Sequence, residues 1–532
     1  MKHLLRNYFG VACLTATLAL TFVYSFWVRP NRLCADEFYY LQLVKDGDYS
    51  LLPMVSGTVF FYKLFTPFLG DKPLWLWHKL NWLLMVLSVL LPYYALLEEK
   101  QRKLTGVVAA FSLLFVVDLT TIEPYPPTFF FDSLMLVSLF KYAKRQSTKW
   151  LYIVAVTSAM VVAVRFPNIV GWPFVMLSIL LLGKKWKHLL LAVVISLLAF
   201  FILSVFTHGG ITSYARAIVD YYKGMQQTDT NHTLSNLTLY YIHNAMRIVL
   251  YAVTLLGCYA FSTPKRSWGN VSVALSFAAV AAVFYLNYLW TIKRGNPYHI
   301  TWEFSLLVCA TAIVALAILI QQGKRNLKCW VLSLIVIIIS FANCAGNDGG
   351  LSFSSITLAC FLPVITASFS SIPKAKSSKF PHILLCGLIV AVVCIRLYVI
   401  GISVPGKHNL HLATASPQLM GVYTSDEEAQ RILGVLNHFH RLPNEQKKNV
   451  VFWGTRSRIY YYNTGKRCPI DGFWMNDGKE AALKKLYKVV QETRPLVFSV
   501  EDSKLLPLFF KNKHYAEKKA NGYTVYYPER EE

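Results

Sequence analysis

The sequence predicts a polytopic α-helical membrane protein of about 13 transmembrane helices with a C-terminal extracytoplasmic α/β domain, on three observations. The 532 residues are 55% hydrophobic and only 15% charged, against roughly 25% charged in a soluble globular chain. The deficit is uneven, since 14 of the 28 acidic residues lie in residues 1–402 and 14 in residues 403–532. Apolar runs also recur along the first part, each near the roughly 20 residues that cross a hydrocarbon core. Together these exclude a single soluble enzyme, a disordered or fibrous chain, and a bare helical bundle with nothing outside the membrane.

The first run, about 9–28, follows Lys2 and Arg6. It is longer than a signal-peptide core and lacks a small-residue cleavage site, so it reads as a helix that stays attached. Twelve further runs follow at 74–97, 104–122, 128–143, 150–166, 169–182, 189–206, 238–261, 270–290, 304–320, 328–344, 353–369 and 382–402. The runs near 129–143 and 169–182 are short, which leaves a re-entrant pair open. Loops after even-numbered runs are rich in Lys and Arg, as in Lys184–Lys187 and Lys324–Lys328. Such a bias marks the cytoplasmic face. It places the N-terminus inside and, with an odd count, the tail outside. Of the formal charge of +25, residues 403–532 carry only 20 Lys+Arg against 14 Asp+Glu. The excess is therefore topological, and nucleic acid is not an expected partner. The ten Cys form no CxxC and no disulfide framework.

Acidic residues gather at the outer side. Asp36, Glu37, Asp46, Asp48 and Asp71 crowd the first outer loop, residues 29–73, and Asp118, Glu123 and Asp132 lie in or beside the second. The positive-inside rule does not concern acids, so a site that uses carboxylates explains the clustering better. The first loop is too long for a simple connector. It contains a helix-like stretch, Glu37 to Val44, an Asp46-Gly47-Asp48 turn, and an apolar-faced piece, Leu51 to Leu69, suited to an interface. A similar amphipathic piece spans Tyr214–Met225.

In residues 403–532, Ser425 before Asp426, Glu427 and Glu428 predicts a helix start. Residues 449–454 and 495–500 read as short buried strands, and Tyr523–Tyr527 as an edge strand. Tyr460, Tyr461 and Tyr462 read either as glycan-binding aromatics or as a tyrosine-rich strand edge packed on the membrane part.

Asp36 and Glu37 stand where the chain leaves the first helix. A dehydrated carboxylate there is costly unless partnered. Two readings stand: a cap and first-turn acid for a short helix, or a general base on an acceptor hydroxyl. Arg165 ends an outer run, where it either snorkels to the interface or meets an anion. Lys293, Arg294, Tyr298 and His299 form a second outer cluster, and Arg247, inside a span, calls for a partner. Asp132 could pair with Arg165. The prolines around Glu123 (Pro124, Pro126, Pro127) predict a stiff extended loop. Asp46-x-Asp48 reads first as a turn and only second as a divalent-cation ligand pair. There is no HExxH, GxGxxG or GxxxxGK[ST].

The acidic doublet with aromatics after helix one, the span count, the long outer loops and the outer C-terminal domain together resemble the GT-C integral-membrane glycosyltransferases. The nearest likeness is to the bacterial branch of protein O-mannosyltransferases and lipid A aminoarabinose transferases. That branch reads roughly Asp-Glu-x-Tyr-Tyr, matched here by Asp36, Glu37, Tyr39 and Tyr40. The lipid A enzymes carry Arg where this chain has Tyr39, so the sugar is left open. The resemblance implies a polyprenyl-phosphate-linked sugar donor and a glycan, lipid or protein acceptor at the outer face. It implies Asp36 as the base, Glu37 and Glu123 as further catalytic acids, and Tyr39, Tyr40 and Tyr298 on the substrate. Arg165, Lys293, Arg294 and His299 would meet the lipid phosphate. No cofactor is required on this reading. A lipid-linked glycan polymerase, ligase or flippase is the alternative.

Overall fold

Within hydrocarbon the backbone must satisfy its own hydrogen bonds, so the apolar runs become helices. The computed structural model describes residues 2–23, 35–70, 72–116, 121–228, 234–261, 269–292, separate residues between 303 and 317, 327–345, 357, 360–364, and 416–529 apart from 421, 423, 455, 471–479, 502, 504, 512 and 521. The runs become α1 (Lys2–Val23), α5 (Leu74–Leu96), α6 (Glu99–Val116), α7 (Tyr125–Arg145), α8 (Thr148–Val164), α9 (Trp172–Gly183), α10 (Trp186–His208), α12 (Leu234–Phe261), α13 (Gly269–Ile292) and α14 (Leu327–Ala342). Among the described residues, four helical stretches are long and apolar enough to cross a membrane: Leu74–Leu96, Phe166–Gly183, Trp186–His208 and Thr238–Ala260. The last run, 382–402, lies outside the described residues.

Small residues let these helices approach. A Cβ added at Gly106 on α6 would lie 2.6 Å from the carbonyl oxygen of Gly10 on α1, the backbone-to-backbone contact by which membrane helices associate. Helix α5 packs on α7, α7 on α8, and α8 on α10. One expectation is corrected here. Pro126 and Pro127 do not extend a loop; they sit in the first turn of α7. Proline is tolerated there because its missing N–H is one the helix leaves unpaired anyway. The helix is thus longer than the apolar run suggested.

Between α1 and α5 lie α2 (Ala35–Asp46), α3 (Ser56–Lys63) and the short α4 (Thr66–Leu69). The apolar piece expected at an interface is mostly inside the protein: Met54, Val55, Val59, Phe61 and Tyr62 are buried, and Leu64 and Phe68 remain exposed. The reason is α3, which packs along α8. The amphipathic α11 (Ile211–Thr228) extends the predicted piece at both ends.

The C-terminal lobe is a four-stranded sheet with flanking helices. Helix α15 (Asp426–Arg441) begins at Ser425, whose hydroxyl accepts the Glu428 N–H at 3.3 Å. A short α16 (Asn444–Lys448) leads into β1 (Val450–Trp453); then come α17 (Ser457–Thr464), α18 (Glu480–Thr493), β2 (Leu496–Ser499), α19 (Leu506–Phe510), β3 (Tyr515–Ala520) and β4 (Tyr523–Pro528). The sheet order is β1-β2-β4-β3, with β1 and β2 parallel and the other pairs antiparallel. Strand β4 is internal rather than an edge. The edge on that side is β3, whose Glu517, Lys518 and Lys519 are exposed charges of the kind that protect a free edge. Tyr460, Tyr461 and Tyr462 belong to a helix, α17, not a strand edge.

Two hydrophobic cores result. One fills the helical bundle. The other joins residues of α2 and α3 to the inner faces of the C-terminal lobe. The first loop and the lobe therefore pack as one body at one end of the bundle.

Candidate active site

Helix α2 opens with the acidic doublet and is buried nearly all round: Phe38, Tyr39, Leu41, Gln42, Leu43 and Val44 are all buried. Its far end is closed by Lys63 of α3, whose Nζ donates to the carbonyls of Val44 at 2.8 Å and Lys45 at 3.1 Å. A cation on the last carbonyls suits a helix C-terminus. The chain then turns at Gly47, where φ is +67°. Asp48 Oδ1 accepts the Ser50 N–H at 3.0 Å and hydroxyl at 2.7 Å, and Gln42 Nε2 donates to Asp46 Oδ2 at 2.9 Å. The Asp-Gly-Asp stretch is a built turn.

Glu37 points inward. It is fully buried, with Oε2 2.9 Å from Nε2 of His78 on α5. Burial raises its pKa, and the neighbouring imidazole opposes that rise. One turn further along α5, Asn81 Oδ1 accepts the Tyr62 hydroxyl at 2.8 Å, while Asn81 Nδ2 donates to the Thr121 carbonyl at 2.8 Å. The same hydroxyl lies 3.2 Å from the carbonyl of Glu123. These contacts draw α2, α3, α5 and the second loop into one polar web. Asp36 stands in the first turn of α2 and Glu123, half-buried, at the web's rim.

Arg165 sits where α8 gives way to a 3-10 turn, Phe166–Val170. It is 8% exposed. Its Nη2 donates to the Ala345 carbonyl at 2.7 Å, its Nη1 to Asn168 Oδ1 at 3.4 Å, and its guanidinium lies 6.0 Å from the Tyr125 ring centre. It does not pair with Asp132, as charge alone suggested. Asp132 accepts from Asn343 Nδ2 at 2.8 Å instead. The end of α8 is also pinned to the first loop: Thr58 donates to the Val164 carbonyl at 2.8 Å, and Gly57 lies directly against Ala163. Arg247 finds the partner its position required, with Nη1 3.0 Å from Glu303 Oε2, and Tyr251 donates to Glu303 Oε1 at 2.7 Å.

The lobe covers α2. Arg458 of α17 stacks over the Tyr39 ring at 4.7 Å, Phe38 meets Tyr462 edge-on at 5.6 Å, and Arg467 Nη2 lies 3.4 Å from Asp48 Oδ2. Tyr39 is therefore enclosed and burial pushes its hydroxyl up, while Tyr40 is half-buried. Of the residues singled out in the sequence, the structure gathers Asp36, Glu37, Tyr39, Tyr40, Glu123 and Arg165 at this end of the bundle. Lys293, Arg294, Tyr298 and His299 lie outside the described residues. His78, Asn81 and Arg458 were not singled out. His78 and Asn81 were detectable as a polar i, i+3 pair in a mostly apolar span.

A helical membrane bundle whose first loop forms one body with a C-terminal α/β lobe defines a class of polytopic membrane protein. No protein-family model matches the sequence, and no curated protein does. The fold has solved counterparts. The Archaeoglobus fulgidus oligosaccharyltransferase in the apo form superposes with a TM-score of 0.50 at 11% identity, over 98% of this chain and 75% of that one. The same enzyme in complex with Zn and sulfate gives 0.50 and 11%, over 97% and 73%. The archaeal oligosaccharyltransferase AglB from Archaeoglobus fulgidus, in complex with an inhibitory peptide and a dolichol-phosphate, gives 0.49 and 10%, over 99% and 75%. The chain thus shares the fold of the Archaeoglobus fulgidus oligosaccharyltransferase.

Proposed function

We propose that this protein is a membrane glycosyltransferase that moves a sugar from a polyprenyl-phosphate-linked donor to a hydroxyl or amine of a glycan, lipid or protein acceptor at the outer face of the membrane. The observation that carries this reading is the acidic first turn of α2, held by Glu37–His78 at the end of a GT-C-fold bundle where the second loop and Arg165 converge. In this reaction the acceptor attacks the anomeric carbon, with inversion, and Asp36 takes the acceptor's proton. The bond from anomeric carbon to phosphate oxygen breaks, and the lipid phosphate leaves with the electron pair. That leaving group is already a stable anion and needs positive charge nearby, which Arg165 supplies together with Lys293, Arg294 and His299. Glu123 assists the base, and Tyr40 and Tyr298 contact substrate. The carboxylates of Asp46 and Asp48 are engaged by Gln42, Ser50 and Arg467, so transfer is proposed to run without a divalent cation and to survive a chelator.

The test uses purified protein in nanodiscs, with polyprenyl-phosphate sugars, nucleotide-sugars and a diphosphate-linked oligosaccharide as ligands. A ligand that binds only the native state raises the unfolding temperature. A polyprenyl-phosphate sugar is expected to stabilise both wild type and Asp36→Asn, with transfer only in wild type. A response confined to the diphosphate-linked oligosaccharide would replace this reading with a polymerase, ligase or flippase.

A further inference from the structure

Helix α10 ends at His208 and α11 begins at Ile211, so only Gly209 and Gly210 separate them. Both glycines have positive φ, +71° and +147°, conformations that glycine adopts at little cost, and the two residues break the helix. Trp186–His208 is long and apolar enough to cross a membrane, and so is the Thr238–Ala260 stretch of α12 that follows α11. The last turn of α10 leaves Val205 and Phe206 exposed, as a span facing lipid does. Helix α11 therefore starts where a span ends. Stepped about 100° per residue, its side chains sort into three arcs. The first is buried: Tyr214 and Ile218 belong to the core shared with the C-terminal lobe, and Tyr221 packs against it. The second is apolar and exposed. It holds Ile211, Ala215, Val219 and Tyr222, all within about 80° of one another, with Ile211, Val219 and Tyr222 exposed to 41%, 49% and 44%. The third is polar and exposed, with Thr212, Arg216, Lys223 and Asp220.

We propose that α11 is a membrane-surface helix, with its Ile211–Ala215–Val219–Tyr222 stripe seated in phospholipid and Arg216 and Lys223 on the headgroup phosphates. A helix on a soluble surface needs two sides, one for the core and one for water. Helix α11 has a third between them, and at the end of a span that side meets acyl chains. The order of the polar arc suits this placement. Arg216 and Lys223 stand beside the apolar stripe, where their stems lie along it and their charged heads reach the phosphates. Asp220, the only acid of α11, takes the position of that arc furthest from the stripe, which an anion repelled by phosphate requires. The helix thereby gives the lobe a footing on the bilayer, since α18 packs on α11. It also reaches the candidate site, because Tyr214 meets the ring of Phe166, the neighbour of Arg165, edge-on at 5.9 Å. The inference does not depend on the transferase reading.

The experiment uses the full chain in nanodiscs of phosphatidylethanolamine and phosphatidylglycerol. The photoreactive p-benzoylphenylalanine replaces Val219, Tyr222 or Asp220, one position at a time, and mass spectrometry reads what each becomes attached to on illumination. All three positions are exposed, and the aromatic probe is a close substitute for Tyr222, so at least that variant is expected to fold. Phospholipid adducts are expected at positions 219 and 222, several-fold above those at position 220. A further change of Arg216→Glu together with Lys223→Glu is expected to reduce the adducts at position 222 several-fold. Equal adducts at position 220, no lipid adducts at 219 and 222, or attachment there to a second copy of the chain in place of lipid would overturn the proposal.

Discussion

Gly57 makes the sharpest demand on the geometry of the site. A Cβ built there would lie 2.4 Å from the carbonyl carbon of Ala163, 2.5 Å from its oxygen and 2.7 Å from the Val164 nitrogen. All three are backbone atoms, so no side chain can turn aside. In Gly57→Ala, α3 and the end of α8 must part by about 1 Å, and overpacking of this kind typically costs about 1–3 kcal/mol. The strain falls next to Arg165 and loosens the bond from Thr58 to the Val164 carbonyl. A misplacement of about 1 Å at a reacting site can cost roughly 10²-fold in rate. The assay pairs unfolding temperature in nanodiscs with donor-dependent transfer. Gly57→Ala is expected to lower both, and Gly257→Ala, where a Cβ meets nothing within 4 Å, to lower neither. A Gly57→Ala protein with wild-type stability and rate would refute the packing of the first loop against α8.

The other expectations concern the lobe and the bundle. Replacing Arg458 by Ala removes a buried stack on Tyr39 worth about 1–2 kcal/mol; a double-mutant cycle with Tyr39→Leu should return a coupling of that size, and additivity would deny the contact. His438 lies between two tyrosine hydroxyls, Tyr523 at 3.1 Å and Tyr527 at 2.8 Å, and burial lowers its pKa below the ordinary 6.5. The folded state thus binds this proton less readily than the unfolded chain, so the contribution is present above pH 6.5 and lost as pH falls below it. Unfolding temperature should drop on that side in wild type, and less steeply in His438→Phe. Breaking the Arg247–Glu303 pair by Arg247→Ala leaves the buried Glu303 uncompensated, so Arg247→Ala with Glu303→Gln should unfold at a higher temperature than Arg247→Ala alone.

The apolar helices that the structure describes were legible because hydrocarbon imposes one rule on every run, and α2 was read to within two residues at each end because its pattern is local. What the sequence concealed depends on pairs far apart in the chain. Arg467 and Asp48 meet across 419 residues, and no periodicity reports such a contact. The same holds for Asp132, where the nearest suitable charge in the sequence was Arg165 and the real partner is a neutral amide 211 residues away. Strand β3 was hidden by its charges, which suit an exposed edge and defeat a search for apolar alternation. The prolines of α7 misled because proline stiffens a loop and starts a helix by the same fixed φ.

The burial of α2 gives Glu37 of its first turn a structural task. A surface helix buries one stripe and leaves the other face wet, yet Phe38 to Val44 are enclosed on consecutive positions except at Tyr40. That enclosure takes neighbours on several sides: α3 along one, His78 of α5 at the base, and Arg458 and Tyr462 of the lobe on another. Consecutive helical residues stand about 100° apart. Glu37, aimed at His78, is thereby an anchor rather than a free carboxylate. Asp36 precedes it in the same first turn of α2. Of two adjacent acids that look alike in the sequence, Glu37 is the one that ties its helix to α5, through an imidazole 41 residues away that no local pattern reports.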